Sequence, residues 1–92
     1  MTIEAAQVVT FAIEQYVAGG AQENVAASVV ALRAAVARDR PPVRLVCSLF
    51  IPDDELCLHV LAAPSAERVA AAAEAAGITA ERIVAATAWP GP

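Results

Sequence analysis

The sequence predicts an α+β sandwich, a four-stranded antiparallel sheet with two helices on one face. Three observations lead there. Runs rich in branched and aromatic residues alternate with helical patterns in the order strand, helix, strand, strand, helix, strand. Only Pro52-Asp53-Asp54 separates the two middle runs, which reads as a hairpin. At 92 residues, the chain can build a single domain around one modest core and is too short for two.

The first strand runs from Val8 to Val17 and ends at Gly19-Gly20. Its alternation sends Val9, Phe11 and Ile13 to a core and Thr10, Ala12, Glu14 and Tyr16 to a more polar side. Between Gln22 and Asp39, Val25, Val29, Leu32 and Val36 recur at helical spacing and form one apolar stripe. Arg33, Arg38 and Arg40 suit the negative end of that helix dipole, and Pro41-Pro42 stop it.

Val43 to Ile51 and Glu55 to Ala62 are the hairpin strands. With Asp53 and Asp54 as loop residues, Phe50 lies across from Cys57 and Ser48 across from His59. One face then carries Arg44, Val46, Ser48, Phe50, Cys57, His59 and Leu61. The other carries Leu45, Cys47, Leu49, Ile51, Leu56, Leu58 and Val60, almost wholly aliphatic, and is expected to face the helices. A three-residue loop would instead set Cys47 beside His59; the first register sorts polar from apolar residues more cleanly.

Ser65 is a candidate N-cap, Glu67 sits in the first helical turn, and an Ala-rich helix runs to Gly77, a C-terminal cap signal. The alanines around Val69 allow close approach to the sheet. After the turn Thr79-Ala80-Glu81, Arg82 to Ala88 form the last strand. Residues 1–7 are a leading segment and 89–92 a tail that carries the sole Trp, Trp89. This βαββαβ order is that of the ferredoxin-like sandwich, with all of 1–92 in one domain. Only the topology is meant, since two cysteines cannot hold a four-thiolate cluster.

Composition narrows the function classes. No apolar run approaches the ~20 residues of a membrane span, and Met1 to Glu4 lack the basic region of a secretory signal, so a cytoplasmic protein without a membrane partner is expected. In that compartment Cys47 and Cys57 are expected as free thiols. Six basic residues against ten acidic give a net charge of −4, which opposes a phosphate-tracking surface and argues against nucleic acid as a partner.

Four stretches carry a resemblance. They are Phe11-Ala12-Ile13-Glu14-Gln15-Tyr16, Ser48 to Asp54, Cys57 to Glu67, and Ala76-Gly77 followed by Arg82-Ile83-Val84. In order and spacing the chain resembles a family of small bacterial domains of unknown function, some labelled nickel-binding or nickel-responsive. The resemblance implies a ferredoxin-like fold and raises nickel or another transition metal as a cofactor. Gln15 stands where family members often have Arg, and Leu49 where an aromatic residue is frequent.

Cys57 and His59 are two apart on one strand and point the same way, and Glu14 is expected to approach them from the first strand. A thiolate, an imidazole and a carboxylate are a donor set for Ni, Zn or Cu. The plainer reading pairs His59 with Glu14 or Ser48 by hydrogen bonds, with Cys57 as a small buried hydrophobe. Catalysis would use Cys57 or Cys47 as nucleophile and His59 as base. Asp53, Asp54 and Glu55 read as a solvated turn.

The helix-free face is expected to display Tyr16, Val46, Ser48, Phe50 and Leu61, an apolar patch that monomers rarely leave in water. A homodimer or higher homo-oligomer through that face follows. The leading expectation is a non-catalytic protein that binds a transition metal or small ligand. The alternatives are a small dimeric enzyme, monooxygenase-like or isomerase-like, with Tyr16, Glu14 and His59 in its pocket, or a structural interaction module.

Overall fold

The computed structural model describes residues 9–39 and 42–89. The leading segment 1–7, the strand start at Val8, the helix stop at Arg40 and Pro41, and the tail beyond Trp89 lie outside the described residues. Strand β1 (Val9–Tyr16) is followed by helix α1 (Gln22–Val36), the hairpin β2 (Arg44–Ile51) and β3 (Leu56–Ala63), helix α2 (Ala66–Ala75) and strand β4 (Arg82–Ala85). The strands pair antiparallel in the order β2-β3-β1-β4, the ferredoxin-like arrangement. Both helices lie on one face, α1 toward β2 and α2 over β1, β3 and β4.

The hairpin register matches the sequence expectation near the tip: Phe50 opposes Cys57 and Ser48 opposes His59. Pairing stops at Ile51 and Leu56, and Pro52–Asp54 form a short 3-10 turn. Glu55 adopts a left-handed conformation (φ 51°), from which its carbonyl accepts from Val17 N–H at 2.7 Å. Its carboxylate also accepts from the Gly19 amide. Farther along, the register slips between Leu45 and Cys47, so Val46 is the extra residue of a bulge and Leu45 joins Leu61.

The assignment of the hairpin's two faces requires correction. Phe11, Ile13 and Gln15 pair with Leu61, His59 and Cys57, and directly opposed residues share a sheet face. Ile13, Cys57, His59 and Leu61 are all fully buried. The helices therefore cover the side that holds His59, Cys57, Ser48, Phe50 and Leu61, and leave the aliphatic side open. Of the residues expected on the open face, Tyr16 and Val46 are exposed, whereas Leu61 is core and Phe50 packs partly buried beside Cys57. The physical reason is register: Ile13 and Phe11 anchor the core, and a period of two carries His59 and Leu61 inside with them.

Two clusters make up this interior. Phe11, Ile13, Leu32, Leu61, Val69 and Ala73 belong to the larger, and Val17, Val25 and Cys57 to the smaller, beneath the amino-terminal half of α1. Ala72 and Ala73 let α2 lie close to the sheet. At its start the Ser65 hydroxyl accepts from Arg68 N–H at 3.3 Å. At its end Gly77 N–H donates to Glu74 and Ile78 N–H to Ala73, a Schellman cap. Gly77 has φ +72° with nothing within 4 Å of a built Cβ, so only backbone strain opposes a side chain there. Gly77→Ala is expected to cost about 1 kcal/mol in urea unfolding. β4 is shorter than the sequence suggests: Ala86 N–H still donates to Thr10 at 2.9 Å, after which the chain leaves the ladder.

Candidate functional site

Two features of the sheet stand apart from ordinary packing. The first is a line of polar side chains inside the domain. The Ser48 hydroxyl lies 2.7 Å from His59 Nδ1, His59 Nε2 lies 2.7 Å from Gln15 Oε1, and Gln15 Nε2 donates to Ser28 Oγ at 3.0 Å. Gln15 Oε1 only accepts, so Nε2 carries the ring hydrogen and Nδ1 of the neutral imidazole accepts from Ser48. The line joins β2, β3, β1 and α1. Burial lowers the His59 pKa from its ordinary 6.5, which favours the neutral ring that this pattern uses.

Cys57 Sγ sits 3.6 Å from His59 Nε2. Burial raises its thiol pKa, keeping it protonated and poorly nucleophilic. The expected Glu14, Cys57 and His59 trio is corrected here. Glu14 opposes Leu58, one residue out of step with His59, and so lies on the other side of the sheet. Its carboxylate instead accepts from Arg82 Nε at 2.5 Å. Among the described residues, no group of three or more His, Cys, Asp and Glu side chains is arranged to hold a metal ion.

The second feature is the open face. Tyr16 and Leu49 are 55% and 53% exposed, and Val46 and Ile51 are exposed beside half-buried Leu58 and Val60. Residues 86–89 leave β4 and wall a groove of about 290 Å³ on this side. Its floor is Thr10, Val60, Cys47, Val46 and Leu49, and its wall is Ala86, Thr87, Ala88 and Trp89. None of these carries a charge, and the Trp89 indole, 84% exposed, stands at the rim. Cys47, the exposed cysteine, lies in the floor as a free thiol.

Sequence reasoning joined Ser48 to His59 and separated the two cysteines onto opposite sides of the sheet. It missed Gln15 as the partner of His59 and Ser28 as the partner of Gln15. Gln15 was legible, since it shares a side of β1 with Phe11 and Ile13. Ser28 shares the inward side of α1 with Val25 and Leu32, but which strand residue that side meets has no local signal. Searches of protein-family models, curated proteins and solved structures found no match to this chain.

Proposed function

We propose that the protein is a non-catalytic, homo-oligomeric binding module that takes a small uncharged ligand in the groove on the open sheet face. The observation that carries this reading is the uncharged lining of that groove, with Trp89 placed to stack on a flat ring. The volume is near the lower end for ligand pockets, which suits a one- or two-ring molecule. The free thiols of Cys47 and Cys57 suit a reducing compartment such as the cytoplasm. An enzyme built on Cys57 and His59 gains no support, because both are buried under α1 and the thiol is held protonated.

Heteronuclear NMR with 2-naphthol as probe tests the reading. Saturable shifts are expected at Cys47, Leu49, Val60 and the Trp89 indole N–H. The dissociation constant should be about 4 mM, from about 0.3 kcal/mol per heavy atom. Naphthalene-2-sulfonate, of the same shape but charged, is expected to bind far more weakly. No saturable shift with 2-naphthol, or equal affinity for the sulfonate, would withdraw the proposal.

A further inference from the structure

We propose that a second copy of this chain covers the open sheet face, the two sheets packing face to face about a twofold axis. The association stands on the sheet itself; that each copy roofs the other's groove rests on the ligand-binding reading above.

The first argument is the pattern of the central strands. A sheet with one wet face alternates apolar with polar residues, while strands covered on both faces read as near-continuous apolar runs. β2 reads Arg-Leu-Val-Cys-Ser-Leu-Phe-Ile and β3 reads Leu-Cys-Leu-His-Val-Leu-Ala-Ala. The polar members Ser48 and His59 point under the helices and hydrogen-bond there. Leu49, Ile51, Leu58 and Val60 point to the side that carries no helix among the described residues. The domain thus presents a second core surface outward.

Area and charge then choose the occupant. Three eight-residue strands and a four-residue one span about 450 Å² in projection at ordinary sheet spacings. That whole-face figure is below the roughly 800 Å² per partner of a standard interface, which fits a weak dimer; the exposed Trp89 at the groove rim adds to it. Charges on this side are few: Glu14, across from Leu58 on β1, is paired with Arg82, and Arg44 sits at the start of β2. Such a surface offers no strong field to a charged partner. It suits a flat aliphatic face like itself, packed at the ~10 Å spacing of stacked sheets.

Light scattering after size exclusion, at about 100 µM chain, tests the idea on the wild type, Leu49→Arg and Leu58→Glu. Wild type is expected at twice the 9.4 kDa chain mass, and both variants at the single-chain mass with unchanged far-UV circular dichroism. A thiol reagent gives a second reading, because Cys47 lies on this face and Cys57 is buried in either state. Labelling of Cys47 should slow at least about tenfold when wild type is concentrated into its dimer, and not in the variants. A wild-type monomer overturns the proposal, as does a dimer whose Cys47 labels at the free rate, since that dimer would use another surface. A dimer that ignores 2-naphthol leaves this inference standing and sinks only the ligand reading.

Discussion

His59→Ala is expected to lower the unfolding free energy by about 3 kcal/mol, and the melting temperature by roughly 10–25 °C. Two losses combine. The side chain is fully buried, so its removal leaves a cavity the surrounding strands fill only in part. Gln15 Oε1 and the Ser48 hydroxyl also lose the ring nitrogens that satisfy them, and a buried polar group without a partner costs about 1–3 kcal/mol. Urea denaturation of His59→Ala, Gln15→Ala and the double variant separates these contributions. A coupling energy of about 1 kcal/mol or more is expected between the two sites. If His59→Ala unfolds within 0.5 kcal/mol of wild type, a magnitude ordinary for surface changes, the polar line does not hold the sheet to α1.

Stability is expected to form a plateau between about pH 6.5 and 9 and to fall on both sides. Burial places the folded pKa of His59 below its ordinary 6.5, so between those two values the unfolded chain binds more proton than the folded one. This contribution is fully present above 6.5 and is lost as pH falls from there toward the folded value. Cys57 behaves in mirror image. Its thiol is raised from 9.0, so its contribution is fully present below 9.0 and is lost as pH rises past that value toward the folded pKa. Each limb can be no steeper than about 1.4 kcal/mol per pH unit for one proton. His59 is the only histidine, and ordinary carboxylates titrate near pH 4, so the limb just below 6.5 belongs to it. His59→Gln should flatten the acid limb and Cys57→Ala the alkaline one, in urea midpoints taken at half-unit steps of pH. An acid limb that persists unchanged in His59→Gln would show that the ring is not the group responsible.

These expectations turn on which side of the sheet each residue occupies, and local pattern alone was a poor guide to that. In β2 and β3 both sides are largely apolar, so the more aliphatic side was the natural choice for the core. The choice fails because β1 has an unambiguous pattern and lies beside β3. Once Ile13 opposes His59, the whole of β3 follows its phase, and β2 follows β3. The same step moves Glu14 away from Cys57 and His59 and brings Gln15 to them. It also moves the exposed apolar surface from Phe50 and Leu61 to Leu49 and Ile51, beside half-buried Leu58 and Val60.

What the sequence determined by itself was everything carried by short-range signals. The order of elements, the hairpin pairing of Ser48 with His59, the Ser65 cap and the Gly77 stop each depend on residues a few positions apart, where propensity and turn chemistry act directly. What only the tertiary structure decided was the partner of each side chain across the domain: Ser28 for Gln15, Gln15 for His59, Arg82 for Glu14, and the wall of residues 86–89 beside Cys47. Those contacts come from strand neighbours and helix placements far apart in the chain. They are chosen by the packing of the whole core, because one shared interior must satisfy all the strands at once.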